Sequence, residues 1–173
     1  MSKIKNALIS VSEKKNLKPL LNILKKFKIK IISSGGTYKE IKKLKFDCIE
    51  VSKFTNSPEI LNGRVKTLHP KIYGGILNKR KNKKHFNELK KSNYENIDLV
   101  IVNFYPFEKI IKFTNDHNKI IENIDIGGPT MVRAAAKNFK NVTIITNKKD
   151  YPSLIRELDK SKGSTSLKFR EFK

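Results

Sequence analysis

The sequence predicts an α/β domain, with a mainly parallel sheet between two helical layers in a three-layer α/β/α arrangement. Three observations carry this. The candidate strands at residues 6–11, 29–32, 48–51, 99–102 and 142–145 are short, largely apolar runs, as expected of strands covered on both faces. They alternate with stretches of helical spacing, the pattern of βαβ units. The chemically unusual residues follow strands, and an open parallel sheet receives ligands outside its carboxyl ends.

Each element follows from its local pattern. After the first strand, apolar residues recur at Leu17, Leu20, Leu21, Leu24 and Phe27, one face of a helix. The second strand ends in Ser33, Ser34, Gly35, Gly36 and Thr37, and residues 38–44 read as helical. From 52 to 79 periodicity fails and Pro, Gly and Asn accumulate, so this segment reads as a long loop of the kind that binds or covers ligands. Alternation then resumes: a helix over 83–91, a strand over 99–102 and a partly helical stretch over 110–123. A helix over 151–158 has Asp150 as its expected N-cap. Residues 1–160 read as the domain, and 161–173 as a tail or the start of a helix the chain does not complete.

The 173 residues suffice for one domain with a real core. The net charge of +22 raises a nucleic-acid reading. Against it, 33 of the 38 basic residues are lysines spread along the whole chain, without interleaved aromatic platforms. Nucleic acid is therefore not the expected partner. No apolar run reaches membrane-spanning length, and the single cysteine, Cys48, makes no intrachain disulfide, which fits a cytoplasmic protein. The three histidines and Cys48 lack metal-ligand spacing, so no metal is expected.

Glycine and arginine stand out against this lysine-rich background. Nine of the thirteen fall in Gly35–Gly36, Gly63–Arg64, Gly74–Gly75, Gly127–Gly128 and Arg133, where tight turns or close backbone approach are expected. The densest stretch is 123–138. Gly127, Gly128 and Pro129 open a helix, Asp125 precedes it, and Arg133 and Lys137 share one of its faces. An acid, unpaired backbone N–H groups and two cations in one segment suit an anionic ligand.

Taken together, the motifs S-V-S-E-K at 10–14, S-S-G-G-T at 33–37, G-R-V-K-T-L-H-P at 63–70, N-F-Y-P-F at 103–107 and N-I-D-I-G-G-P-T-M-V-R-A-A-A-K-N at 123–138 resemble the IMP cyclohydrolase family. That family forms the N-terminal domain of the bifunctional enzymes whose other half is AICAR transformylase. The resemblance covers nearly the whole chain in order. It implies a methylglyoxal-synthase-like fold, a homodimer, no cofactor and no metal. The implied activity is that of a cyclic-amidine hydrolase, closing 5-formamidoimidazole-4-carboxamide ribotide (FAICAR) to IMP in purine biosynthesis. Glu13 replaces a usual Asp, Lys15 and Asn16 a common Thr-Gly, Ser34 a Thr and Phe104 a Leu, all mild departures. Nothing in this sequence corresponds to a transformylase domain, so transformylase activity is not expected from it, and both a fragment and a single-activity version with the transformylase domain separate or missing fit the sequence.

The resemblance assigns catalysis to Lys66, Tyr105, Asp125 and Lys137. Lys137 with Asp125 is the candidate proton-transfer pair, provided that Asp125 folds back along the helix. Lys66 and Tyr105, with backbone N–H groups near Ile126 and Gly127, are candidate oxyanion donors. For the ribotide phosphate, Ser34, Gly35, Gly36 and Thr37 offer amides and hydroxyls at a helix start, and Ser12 and Lys14 close the other side. Arg64, Thr67 and Asn103 are candidate ligands for the rest of the ribotide, or loop caps. His69, in a His-Pro pair, is expected to fix a turn rather than to transfer protons. The competing reading is a regulatory module of the same fold that binds phosphate or a nucleotide without catalysis.

Overall fold

The computed structural model describes residues 3–104 and 107–173. Strand β1 (Asn6–Val11) leads to helix α1 (Leu17–Lys26), which buries Leu17, Leu20, Leu21, Ile23 and Leu24. Strand β2 (Lys30–Ser33) leads to α2 (Gly35–Lys43), and the two-residue β3 (Ile49–Glu50) runs straight into α3 (Val51–Thr55). Then come α4 (Pro70–Leu77), α5 (Lys83–Lys91) and strand β4 (Leu99–Asn103). They are followed by α6 (Phe107–Phe113), α7 (His117–Glu122), α8 (Gly127–Lys137), β5 (Thr143–Ile145), α9 (Tyr151–Lys160) and α10 (Leu167–Phe172).

The five strands form one sheet in the order β3-β2-β1-β4-β5, with every pairing parallel. Because β1 pairs with β2 on one side and β4 on the other, the connections diverge at this point, and the carboxyl ends of β1 and β4 frame a crevice. Successive side chains of a strand point to opposite faces. Ala7, Ile9 and Val11 of β1 accordingly join a core with α1 and α9, while Leu8 joins Ile72, Ile76, Met131 and Ala135 of α4 and α8. Both faces are covered, and this is the three-layer α/β/α arrangement expected from the unbroken apolar runs.

Several local expectations need correction. The segment read as a loop over 52–79 contains α4 and most of α3, because Ile72 and Ile76 bury their side chains in the second core despite the flanking Gly and Pro. The stretch over 110–123 is partly helical, as expected: it holds the end of α6 and all of α7, the latter capped by the Asp116 carboxylate accepting from Lys119 N at 3.2 Å. Asp150 stands at the N-cap position of α9, as expected, but its side chain makes no cap bond there. It closes a 3-10 turn capped by Asn147 and takes an ion pair from Lys173. Residues 161–172 pack on the domain: Ile4 N donates to Gly163 O at 2.9 Å, and Arg170 donates to the carbonyls of Phe139, Lys140 and Thr165.

Candidate active site

A cavity of about 460 Å³ opens at the carboxyl edge of the sheet, between the segment 62–68 and the segment 121–128, with Ser10, Ser34 and Met131 also lining it. Three groups of predicted residues lie on it or beside it.

The first is the turn from β2 into α2. Ser34 has extended backbone (φ −134, ψ 162) with no side-chain cap bond, and it is buried against the cavity. Gly35 has φ +54, a left-handed conformation that opens the helix without a Cβ penalty. A methyl group placed on Gly36 would lie 3.4 Å from Lys14 Cε and 3.5 Å from its Nζ, and one on Gly35 would lie 3.8 Å from Lys66 Nζ. Two lysines therefore flank the first turn of α2, where the helix leaves its amides without intrahelical partners. Cations, free amides and the helix dipole coincide there, and this suits a phosphate.

Two residues expected as ligands do something else with their side chains. Thr37 Oγ1 accepts from Val11 N at 3.0 Å and donates to Val11 O at 2.9 Å, which ties α2 to the end of β1. Asn103 Oδ1 accepts from Ser12 N at 2.7 Å, Ser12 Oγ at 3.0 Å and Glu13 N at 3.0 Å, and its Nδ2 donates to Glu13 O at 3.2 Å. Asn103 is thus a clamp across the switch point. It shapes the loop that presents Lys14, which itself donates to Ser12 O at 3.2 Å.

The second group sits on a tight hairpin. Ile60 N donates to Val65 O at 3.1 Å, and Leu61, Asn62 and Gly63 take φ 53, 53 and 86 in succession. Two consecutive non-glycine residues in the left-handed region are a strained arrangement of the kind found at ligand clamps. The hairpin presents Arg64, paired with Glu122 at 3.4 Å, and Lys66, paired with Glu59 at 3.6 Å. Both pairs are solvated and add little stability. Thr67 is buried, and its Oγ1 would lie 2.7 Å from a Cβ on Gly127. His69 caps α4, its Nδ1 accepting from Lys71 N at 3.1 Å, as the His-Pro reading expects.

The third group is the start of α8. Asp125 Oδ1 accepts from Gly128 N at 2.9 Å, and a Cβ on Gly128 would lie 2.3 Å from Asp125 Oδ2, so the carboxylate folds over the first turn. Ile126 and Gly127 line the cavity beside it. Lys137 is exposed at the last residue of α8, roughly 15 Å away at about 1.5 Å rise per residue. The expected Asp125–Lys137 pair is therefore not formed within one chain. A helix from Gly127 to Lys137 is continuous, and Asp125 caps its start instead of folding back along it. Tyr105 lies outside the described residues.

Two tyrosines that sequence reasoning passes over stand behind the site. Burial pushes the Tyr151 phenol up to about 12, with Asn103 lowering and Glu13 raising it. Tyr73 is likewise pushed up to about 12 by burial, with Thr130 lowering and Asp125 raising it. Neither hydroxyl has a partner in hydrogen-bond geometry. Their sequence neighbourhoods carry no motif that would single them out.

An open parallel sheet with helices on both faces, and its special residues gathered at the carboxyl edge, defines an α/β domain of the doubly covered class. Comparison with known proteins makes this specific. The chain belongs to the MGS-like domain family, whose model matches residues 16–130, and residues 135–172 match the AICARFT/IMPCHase bienzyme family. It is similar to the bifunctional purine biosynthesis protein PurH of Persephonella marina (strain DSM 14350 / EX-H1), 51% identical over 166 residues, covering 96% of this chain and 32% of that protein. PurH of Wigglesworthia glossinidia brevipalpis is 50% identical over 168 residues, 96% of this chain and 31% of the relative. The chain thus spans about a third of the length of these relatives. Among solved structures, the crystal structure of ForH superposes with a TM-score of 0.84 at 29% identity, covering 96% of this chain and 87% of that one.

Proposed function

We propose that the chain is an IMP cyclohydrolase, closing FAICAR to IMP with loss of water, and that it acts as a homodimer in the cytoplasm. The observation that carries this is one cavity of about 460 Å³ lined by Lys66, Asp125 and the opening turn of α8, with Ser34 at the start of α2 on its wall and Lys14 beside that α2 turn, a volume suited to a small ligand. The similarity to PurH proteins supplies the substrate class. Transformylase activity is not part of the proposal for this chain.

The ribotide phosphate sits on the α2 amides between Lys14 and Lys66, which leaves the base to extend toward α8. The carboxamide nitrogen attacks the formyl carbon and gives up one proton. The carbonyl oxygen gains charge, takes up protons and leaves as water, the last proton coming from the formamide nitrogen as the ring C=N bond forms. Both reacting groups belong to one molecule, so holding them in contact supplies a large part of the rate enhancement. Asp125 receives or orders the proton from nitrogen. Lys66, Tyr105 and the amides near Ile126 and Gly127 stabilise the oxyanion, each well-aimed donor contributing about 3 kcal/mol. Lys137 acts apart from Asp125. Arg64 and Thr67 complete the walls, and Asn103, bonded to the Ser12 hydroxyl, holds the Ser12–Lys14 loop.

Exposed Ile121, Ile124 and Ile126 at the cavity rim support burial of this edge against a second copy. Among the described residues no helix is long and apolar enough to cross a membrane.

FAICAR turnover, read as IMP formation above the uncatalysed rate, tests the reading. Asp125→Asn is expected to lower kcat by about 100-fold or more, and Lys137→Ala to lower it independently. The phosphate corner needs only Lys66 of the catalytic residues, and a regulatory module that binds phosphate without catalysis is the second reading. IMP binding with no turnover in the unmodified chain would select it.

A further inference from the structure

The first turn of α8 carries both Asp125 and the Ile126–Gly128 backbone of the proposed site, so whatever fixes that turn fixes the chemistry. Thr130 Oγ1 donates to Ile126 O at 2.7 Å, and Ile126 links Asp125 to the helix. Tyr73 of α4 is half-buried and packed on the core that holds Met131, Ala134 and Ala135 of α8, and Thr130 is close enough to its phenol to lower its titration. The Tyr73 hydroxyl is buried without a partner, one of only two such side-chain atoms among the described residues. Buried polar atoms are nearly always satisfied, so an orphan beside a site calls for an occupant or a movement that completes it.

We propose that Tyr73 is a positioning residue of the candidate active site, donating to Thr130 Oγ1 to complete a chain from Tyr73 O–H through Thr130 O–H to the Ile126 carbonyl as ligand tightens the turn. The inference rests on the reading of the cavity as the cyclohydrolase site. The chemistry leaves little alternative. A phenol held near 12 stays neutral at physiological pH and offers a proton. Thr130 Oγ1 gives its own proton to Ile126 O and keeps its lone pairs for a donor. With the turn held, Asp125 Oδ1 keeps its bond from Gly128 N, which fixes the carboxylate over the first turn of α8.

Tyr73→Phe removes the donor and keeps the ring. Thr130→Val breaks the chain, and Thr130→Ser keeps the hydroxyl. The test is the hydrogen exchange of the Gly128 amide, read by nitrogen-15 NMR in the free and IMP-saturated chain, beside kcat and KM for FAICAR. Tyr73→Phe and Thr130→Val are expected to speed that exchange about tenfold in the IMP-saturated chain and to lower kcat roughly tenfold with KM nearly constant, while Thr130→Ser keeps wild-type values. Unchanged Gly128 exchange in Tyr73→Phe, or Thr130→Ser behaving as Thr130→Val, overturns the proposal. If the unmodified chain forms no IMP yet Tyr73→Phe still speeds Gly128 exchange, the positioning role stands and the cyclohydrolase reading falls.

Discussion

At the scale of single residues, two glycines separate binding from stability. A methyl on Gly36 meets only the far end of Lys14, at 3.4 and 3.5 Å, and the backbone there is helical. Alanine in a helix is favoured over glycine by about 1 kcal/mol, so Gly36→Ala is expected to keep or raise the melting temperature. The same methyl intrudes on the space over the α2 amides, so IMP binding by calorimetry should weaken at least about tenfold, a loss of roughly 1.4 kcal/mol. Gly128→Ala has the opposite character. Its Cβ would lie 2.3 Å from Asp125 Oδ2, forcing the carboxylate off the helix and breaking its bond from Gly128 N. The expected result is a fall in kcat with a stability loss of about 1 kcal/mol in urea titrations. Cys48 is held up to about 12, chiefly by burial, so its thiol stays protonated. Labelling by a thiol reagent at pH 8 should be much slower than in the unfolded chain, and equal rates would contradict the burial.

At the scale of elements, the close approach of α4 to the segment before β4 is what Gly75 permits. A Cβ there would lie 2.6 Å from the backbone carbonyl of Glu95, and Ile97 N already donates to Gly75 O at 3.0 Å. Neither backbone yields easily, so Gly75→Ala is expected to cost about 1–3 kcal/mol, read as a lower urea midpoint. The same segment carries a pH-dependent contribution. Hydrogen bonds from Lys30 hold the Glu95 carboxyl below its usual range, with burial opposing and Asn6 adding to the effect. A depressed carboxyl stabilises the fold above its unfolded pKa, and the contribution disappears as pH falls through the lower folded value. Glu95→Gln should therefore flatten the acid side of the stability profile, modestly because the pair is solvated. A profile of unchanged slope would show that Glu95 does not act this way.

At the scale of the whole molecule, the proposed dimer predicts a sedimentation mass twice the 20.0 kDa of one chain, and a monomer at micromolar concentration would remove that part of the reading. The sheet, its parallel sense and the edge that gathers the special residues were legible in the sequence, because unbroken apolar strands and their helical intervals are local patterns set by burial on two faces. Helix α4 was not, since its glycines and proline hide a buried face that exists only against α8 and residues 94–97. The site divides in the same way. The sequence by itself determined the family resemblance and the residue types that bring Lys14, Lys66, Asp125 and the glycine turns to one edge. Only the tertiary structure decided that Asn103 and Thr37 clamp loops, that Asp125 caps α8 far from Lys137, and that Tyr73 and Tyr151 stand behind the site. Those outcomes depend on which hydrogen-bond partner lies closest once the chain is folded, a relation between residues distant in sequence that no local spacing encodes.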